Sequence, residues 1–270
     1  MPELPEVETV CRGLAPHLTG RRIESVLCRR PDLRFPLPEM SVLHGRICER
    51  VERRGKYLQF LFGDLMLVWH LGMTGRFHVL SASAPLQPHE HVRLTLSGGD
   101  CLIYRDARRF GYAGLMPVDC WQTHPWFANL GPEPLADDFN AAYLASCCKG
   151  RKGPIKPLLM HAQMVVGVGN IYACEALFRA GIHPQRAAGR IARGRLQRLV
   201  QAVREVLAEA IASGGSTISD FARVDGSPGY FAHSFAVYGR EGEPCGICGK
   251  SIRRSLQAGR STFYCADCQH

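Results

Sequence analysis

The sequence predicts an α+β protein made of a β-sandwich, a helical region and a small C-terminal hairpin. Short β-rich runs divided by turn residues fill positions 21–118. Beyond about residue 140 the apolar residues recur with helical spacing instead. Two Cys-x-x-Cys pairs close the chain. These three observations together predict the fold class.

The chain begins with a predicted amphipathic helix. Its apolar positions follow the i, i+3, i+4, i+7 spacing of one buried stripe and are Val7, Val10, Cys11, Leu14 and Leu18. Gly20 ends the helix, and Pro5 is tolerated because the first turn lacks amide partners. Glu3 and Glu6 lie at the positive end of the helix dipole, which is also where ordinary helices prefer acidic residues.

The β-rich region predicts an antiparallel sandwich or a flattened barrel. Its clearest strands are residues 57–62, 65–69, 91–96 and 101–104. Turn residues separate them, including Gly63-Asp64 and the run 97–100. The Pro- and Asp-containing stretch 131–138 is typical of a linker between domains.

The region after the linker is helical and strongly basic. Its clearest helix carries apolar residues along one face of positions 196–211 and is followed by Gly214-Gly215. Residues 149–204 contain eleven Lys or Arg residues and one acid, Glu175, a local charge of +10. This local concentration of positive charge indicates binding to a phosphate backbone more strongly than the overall charge of +9 does.

Composition is typical of a folded protein that is neither secreted nor inserted in a membrane. Residues are 46% hydrophobic and 21% charged, and no apolar run approaches the roughly eighteen residues of a membrane span. The N-terminus lacks the pattern of a secretion signal, so we expect a cytoplasmic, nucleoid-associated protein. Eight of the twelve cysteines are scattered, and we interpret them as reduced core residues.

The other four cysteines predict a structural metal site. They are Cys245, Cys248, Cys265 and Cys268, in a C-x2-C-x16-C-x2-C arrangement. Each pair can supply two thiolates, and the residues between the pairs suffice for a hairpin. We therefore expect one Zn²⁺ ion, which is structural because four cysteines leave no open coordination position.

Three turns are candidate nucleic-acid contacts. Residues 167–172 (GVGNIY) contain half of a dinucleotide fingerprint but lack its third glycine, so we expect no nucleotide cofactor. Their backbone amides, together with Asn170, could still hold a phosphate. Without the surrounding basic charge, a plain tight turn would fit equally well. Residues 70–75 and 105–111 place a methionine, arginines and a phenylalanine on turns. These side chains could enter the duplex as wedges between bases, or they could be ordinary core and surface residues.

Pro2 is a candidate nucleophile if Met1 is removed. An α-amine has a pKa of about 7.7–8.0, against about 10.4 for a lysine side chain. Roughly a tenth of the amine is therefore neutral at pH 7 and able to attack. Attack of this secondary amine on a sugar C1′ would give an iminium ion that keeps its positive charge without protonation.

The sequence resembles the bacterial formamidopyrimidine-DNA glycosylase family over essentially its whole length. The resemblance rests on five blocks in the family's order: residues 2–9 (PELPEVET), 70–73 (HLGM), 106–111 (DARRFG), 167–172 (GVGNIY) and the cysteine ribbon. It implies a catalytic β-sandwich domain (1–130), a linker with a helix-two-turn-helix DNA-binding domain and lesion loop (131–238), and a zinc ribbon (239–270).

The resemblance also implies roles for single residues. Pro2 would be the Schiff-base nucleophile, Glu3 the proton donor or shuttle, and Glu6 a supporting carboxylate. Lys56 would contact phosphate and assist elimination, and Arg260 would grip phosphate and serve the second elimination. The implied DNA contacts are the void-filling Met73, Arg108 and Phe110, together with His89, Arg151, Asn170 and Tyr238.

The implied activity is base-excision repair of duplex DNA by a monomer. Oxidised purines would be released, and the abasic strand would then be cleaved by β- and δ-elimination. The loop from Ser216 to Tyr230 would select the lesion. Two alternatives stay open: an endonuclease VIII-like glycosylase for oxidised pyrimidines, and a non-catalytic zinc-ribbon DNA-binding protein.

Overall fold

Two four-stranded antiparallel sheets form the N-terminal part of the protein. The computed structural model describes residues 1–215 and 235–270. One sheet has the order β2-β3-β4-β8, from β2 (Arg50–Arg54), β3 (Tyr57–Phe62), β4 (Leu65–His70) and β8 (Tyr112–Pro117). The other has the order β1-β6-β7-β5, from β1 (Ile23–Cys28), β5 (Arg76–Ser81), β6 (Glu90–Leu96) and β7 (Asp100–Arg105).

Both sheets contribute to one core, which makes the architecture a sandwich rather than a barrel. Phe60 and Trp69 come from the first sheet, and Phe77 and Tyr104 come from the second. The rings of Trp69 and Phe77 meet edge to face with 5.2 Å between their centroids. Each strand predicted from alternation is present, and no end differs from the prediction by more than one residue.

Helix α1 (Leu4–Leu18) packs its predicted stripe into the same core. All five stripe residues are buried, which confirms the amphipathic interpretation. The helix ends at Leu18, and Gly20 follows with a φ of 80°, a left-handed conformation that suits glycine. A short 3₁₀ helix, Met40–Leu43, buries Met40 and Leu43 beside β1.

The remaining described elements are four α-helices, one hairpin and two short 3₁₀ turns. The helices are α2 (Ala141–Cys148), α3 (Ile155–Leu159), α4 (Asn170–Arg179) and α5 (Arg193–Ala212), and the hairpin joins β9 (Arg253–Gln257) to β10 (Arg260–Tyr264). Two further 3₁₀ turns lie at Trp121–Thr123 and Ala188–Arg190. Helix α5 covers the predicted helix at 196–211, and its apolar face packs on α2 and α4.

The chain divides into two compact units. The first contains Met1–Ala128 and Gly214–Tyr230, and the second contains Asn129–Ser213 and Phe231–His270. The predicted lesion loop, Ser216 to Tyr230, lies outside the described residues. Among the helices that the structure describes, none is both long and apolar enough to cross a lipid bilayer.

The scattered cysteines are only partly core residues. Cys11, Cys48, Cys101, Cys148 and Cys174 are buried as predicted. Burial raises the pKa of Cys11 and of Cys48 to about 12, so both stay as thiols. The prediction was wrong for Cys28 and Cys120, which are exposed, because a cysteine at a strand end or in a turn follows its backbone to the surface.

Candidate active site and nucleic-acid interface

Reciprocal hydrogen bonds close the N-terminal end of α1. Glu3 is the N-cap in an extended conformation, and its backbone N–H donates to the Glu6 carboxylate at 2.9 Å. The Glu3 carboxylate in turn accepts from the backbone N–H of Glu6. Both side chains are buried, so their charges are held by the helix terminus rather than by water. The two carboxylates are thereby fixed directly after Pro2.

Pro2 is buried, whereas Met1 is 54% exposed. With Met1 in place the Pro2 nitrogen is an amide and cannot attack. Because more than half of Met1 is exposed, its removal would cost little packing while uncovering the amine. Gly215 lies near this end of α1, since a Cβ on Gly215 would approach Glu6 atoms to 3.4 Å.

A partly buried ion pair ties α1 to the turn that carries Lys56. The Arg53 Nε donates to Glu8 at 2.7 Å, and Arg53 Nη1 donates to the carbonyl of Gly55 at 3.0 Å. Gly55 has a φ of 58°, so the β2–β3 turn is tight and Lys56 directly precedes β3. Burial alone would raise the pKa of Glu8, but hydrogen bonds from Arg53 and Arg12 lower it.

His70, at the end of β4, is a neutral imidazole next to this turn. Burial lowers its pKa to about 3, helped by the charges of Lys56 and Arg34. Its ring stacks on Tyr112 with centroids 4.9 Å apart, and its Nδ1 accepts the N–H of Gly72 at 3.0 Å. The remaining proton is therefore on Nε2, which leaves this nitrogen as a donor. His70 belongs to the motif at residues 70–73, but the motif predicted no role for this side chain.

The three predicted void-filling residues lie on two adjoining turns. Met73 and Phe110 are 39% and 40% exposed, so both apolar side chains are accessible at the surface. The Arg108 guanidinium lies over the Phe110 ring, 4.6 Å from its centroid. A Cβ on Gly72 would overlap the backbone of Phe110, so the turns touch directly.

His89 occupies a third turn beside them. It is exposed and has a φ of 61°, a left-handed conformation that is uncommon for residues other than glycine. Its carbonyl accepts the backbone N–H of Asp106 at 3.0 Å. The His89 turn is therefore hydrogen-bonded to the segment that carries Arg108.

In the second unit, Asn170 joins a helix to the hairpin. It is the first residue of α4, and its Nδ2 donates to the Ser261 carbonyl at 2.9 Å. Its Oδ1 accepts from Lys156, whose Nζ also donates to the Thr262 hydroxyl at 2.8 Å. Lys156 is 1% exposed, so this ammonium is part of the protein interior. A DNA contact by Asn170 stays a prediction.

A buried carboxylate holds the segment that carries Tyr238. Glu175 accepts the backbone N–H groups of Ala236, Val237 and Tyr238 at 2.8–3.0 Å. The Tyr238 ring packs edge to face on Phe263 of β10, with 5.0 Å between the centroids. The lone acid of the basic region therefore has a structural partner, which periodicity alone did not indicate.

Two arginines that were predicted to contact DNA are exposed on the second unit. Arg151 follows α2, and its Nε donates to the Cys147 carbonyl at 2.7 Å. Arg260 begins β10, directly after a turn in which Ala258 and Gly259 have φ values of 49° and 72°. Both guanidinium groups sit at the surface, where a DNA backbone could reach them.

The four predicted cysteines form a metal site with the size that zinc requires. Their sulfur atoms all lie within 4.8 Å of one another. Cys245 and Cys268 are 3.8 Å apart, and Cys248 and Cys265 are 3.4 Å apart. Four thiolates around Zn²⁺ at about 2.3 Å would be separated by about 3.8 Å. The set therefore fits one structural zinc ion and leaves no position open for substrate.

Three family models match the chain in succession. They are the formamidopyrimidine-DNA glycosylase N-terminal domain at residues 1–113, the formamidopyrimidine-DNA glycosylase H2TH domain at 130–222, and the zinc finger found in FPG and IleRS at 242–270. With the sandwich and the cysteine ribbon, they define a zinc-finger DNA glycosylase. More particularly, the chain belongs to the formamidopyrimidine-DNA glycosylase family.

Full-length relatives agree with this assignment. The chain is 51% identical to the formamidopyrimidine-DNA glycosylase of Phenylobacterium zucineum and 50% identical to that of Geotalea uraniireducens, each over 100% of both proteins. Among solved structures, a variant of Lactococcus lactis FPG in complex with Fapy-dG-containing DNA superposes with a TM-score of 0.92 at 35% identity over 100% of both chains. The MutM (FPG) protein of Thermus thermophilus gives 0.89 at 42% identity, covering 99% and 98%.

Proposed function

We propose that this protein is a DNA glycosylase and abasic-site lyase that removes oxidised purines, such as 8-oxoguanine and formamidopyrimidines, from duplex DNA. The observation that carries the proposal is the N-terminal end of α1, where the buried Pro2 precedes two carboxylates fixed by reciprocal capping. Relatives named formamidopyrimidine-DNA glycosylase, and related structures bound to Fapy-dG or abasic-site DNA, support the substrate class.

In the proposed mechanism, the Pro2 amine attacks C1′ of an extruded nucleotide. The C1′–N bond to the base breaks, and the base leaves after Glu3 or a water that it orients supplies a proton. The Pro2 nitrogen loses its proton as the N–C1′ bond forms. Its lone pair then expels O4′ from C1′, so the sugar ring opens, O4′ takes up a proton, and the C1′=N⁺ iminium ion results. Glu6 would hold Glu3 in place through the capping hydrogen bonds.

Strand cleavage follows from the iminium ion. Loss of a proton from C2′ sends electrons toward C3′, and the 3′ phosphate leaves in β-elimination. A second elimination releases the 5′ phosphate, so the product is a one-nucleotide gap with phosphates on both ends. Lys56 and Arg260, as cations, would bind the phosphates and stabilise their departure. The zinc ion, held by the four cysteines, would stabilise the ribbon without entering these steps.

The protein would act on chromosomal DNA in the cytoplasm, as a monomer. The extended basic region and the exposed Arg151 and Arg260 support duplex binding in a sequence-independent manner. Met73, Arg108 and Phe110 would fill the gap left by the extruded nucleotide.

Borohydride trapping tests the nucleophile. Reduction of the iminium ion should join the processed protein covalently to DNA that contains 8-oxoguanine. A variant with a non-removable N-terminal extension should lose trapping by at least about a hundredfold, because Pro2 is then an amide. It should still bind abasic DNA. The intact mass of each preparation establishes whether Met1 is present, and trapping by the extended variant would refute the Pro2 mechanism.

An oxidised-pyrimidine activity is the second candidate function. One related Lactococcus lactis FPG structure contains DNA with an oxidised pyrimidine, at 35% identity and a TM-score of 0.91. Comparing cleavage of matched 8-oxoguanine and thymine glycol duplexes separates the two substrate classes. Faster cleavage of thymine glycol would overturn the purine assignment, while Pro2→Gly tests catalysis on either duplex.

A further inference from the structure

We propose that Asp106 is a positioning residue that locks two exposed turns, residues 72–75 and 106–111, into one rigid wedge for base displacement. The proposal rests on the proposed function, because it takes Met73, Arg108 and Phe110 as the residues that enter the duplex. What it adds is the internal carboxylate that makes these side chains act together.

The Asp106 carboxylate accepts hydrogen bonds from both turns. Its Oδ1 accepts from the Thr74 hydroxyl at 2.5 Å and from the Arg108 backbone N–H at 3.3 Å. Its Oδ2 accepts the Gly111 N–H at 2.8 Å and the Tyr104 hydroxyl at 3.2 Å. The residue is fully buried, so these charge-assisted bonds do not compete with water.

Thr74 is the direct connection between the turns. Its hydroxyl donates to Asp106 and accepts the backbone N–H of Arg108 at 3.2 Å. Thr74 neighbours Met73 in sequence, and Arg108 is itself one of the predicted wedge residues. One hydroxyl therefore couples the methionine side of the wedge to the arginine side.

Tyr104 supports the carboxylate from the core. Burial, together with the neighbouring Asp106 carboxylate, raises the pKa of Tyr104 well above its ordinary value. The hydroxyl therefore stays protonated and can donate its hydrogen bond to Asp106. A Cβ on either Gly75 or Gly111 would overlap this hydroxyl. The backbones of both turns therefore pack against the Tyr104 hydroxyl, so closely that only glycine fits at these two positions.

The backbone of Asp106 extends the same network to the His89 turn. The Asp106 N–H donates to the His89 carbonyl at 3.0 Å, and the Asp106 carbonyl lies 2.8 Å from Nε2 of His91. His91 is buried, which fixes this contact inside the sheet. Three turns with predicted DNA contacts therefore meet at one residue.

Rigidity matters because a wedge must push apart stacked bases. Unstacking costs free energy at each base step. If the turn were flexible, the turn would deform and the bases would stay stacked. Held by several hydrogen bonds to one buried carboxylate, the two turns cannot separate without leaving polar groups unpaired. We therefore expect the coupling to show in DNA distortion rather than in protein stability alone.

The experiment compares Thr74→Val, which removes the hydroxyl at similar size, with Thr74→Ser, which keeps it. Asp106→Asn is the more obvious variant, but a change at a fully buried carboxylate risks misfolding. The probe is a duplex with a tetrahydrofuran abasic analogue opposite 2-aminopurine, whose fluorescence rises when the base is unstacked. Thermal unfolding of each variant checks that the fold is retained.

At saturating protein, we expect Thr74→Val to lose roughly half or more of the wild-type fluorescence increase. Thr74→Ser should restore it, a rescue that a purely structural role in the fold would not predict for the DNA signal. Equal increases for wild type and Thr74→Val overturn the proposal. No increase with the wild-type protein also overturns it, because the turns then do not displace a base.

Borohydride trapping on a natural abasic duplex is measured in parallel. If wild-type protein is not trapped while the Thr74 variants show the expected fluorescence pattern, the proposed enzymatic function fails and the wedge coupling stands. If trapping succeeds and the fluorescence does not depend on Thr74, the coupling alone fails. The two readouts therefore separate the two proposals.

Discussion

At the scale of single residues, the stability of the N-terminal site depends on how exposed the partners of Glu8 are. Glu8 bridges two arginines that differ in exposure, since the side chain of Arg53 is 11% exposed and that of Arg12 is 66% exposed. Exposed ion pairs contribute little because water and salt screen them, whereas a removed partner in a buried pair leaves a charge poorly solvated. Arg53 is therefore the partner that matters.

We expect Arg53→Gln to lower the free energy of unfolding by roughly 1–2 kcal/mol and Arg12→Gln by less than about 0.5 kcal/mol. Urea unfolding at pH 7 measures both, and Arg12→Gln is the matched control because it removes the same charge from the same carboxylate. Equal losses for the two variants would contradict the role assigned to burial.

The pH dependence of this pair has a defined sign. Because the folded-state pKa of Glu8 lies below its ordinary value of 4.5, its contribution is present above that value and is lost as pH falls through the folded pKa. The stability difference between wild type and Glu8→Gln should therefore shrink as the pH is lowered below about 4.5. A difference that grows in acid would show that the folded state raises this pKa.

At the scale of elements, the zinc hairpin is attached to the helices of its own unit by buried polar contacts. Gln269, 2% exposed, donates to the Ile182 carbonyl and accepts the Cys265 N–H, both at 2.9 Å. Lys156 and Asn170 hold β10 itself, which leads into Cys265, through Thr262 and Ser261. The hairpin has few apolar residues of its own, so metal binding and these contacts must supply its stability.

Removal of zinc should therefore release the hairpin. We expect Cys265→Ser to lower the zinc content below one ion per chain and to speed amide exchange in β10 by at least about tenfold. DNA affinity should fall with it, because Arg260 loses its fixed position. Cys120→Ser, a change at an exposed cysteine outside the ribbon, is the control and should alter neither quantity. Unchanged exchange after complete chelation would contradict a structural metal.

At the scale of the whole molecule, the formal charge of +9 acts through its distribution. A protein that neutralises phosphates releases counterions, so its affinity falls with salt in proportion to the number of phosphate contacts. Positive charge elsewhere on the surface attracts DNA but does not bind a particular phosphate. Salt dependence thus distinguishes a phosphate-binding arginine from a merely basic surface.

We expect Arg151→Gln and Arg260→Gln each to reduce the slope of log affinity against log salt by about 0.9. Arg50→Gln should leave the slope unchanged, because Arg50 is exposed but pairs with Glu52 at 3.0 Å in the first unit. Fluorescence titrations with an abasic duplex at several salt concentrations measure all three. A slope that falls equally in the control would indicate nonspecific attraction only.

The elements that depend on neighbouring positions were predictable from the sequence. The stripe of α1, the alternation in β3, β4, β6 and β7, and the spacing of the ribbon cysteines all repeat over a few residues. The exposure of Cys28 and Cys120 was not predictable in this way, because burial of a lone residue depends on what packs over it.

The sequence by itself therefore determined the helix, the main strands, the metal ligands and, through its five motif blocks, the family. Only the tertiary structure decided which side chains support the site. Thr74 and Asp106 are 32 positions apart, Glu8 and Arg53 are 45 apart, and Lys156 and Thr262 are 106 apart. Such pairs carry no local periodicity. They arise when sheet register and helix packing close long loops, so their chemistry appears only in the folded chain.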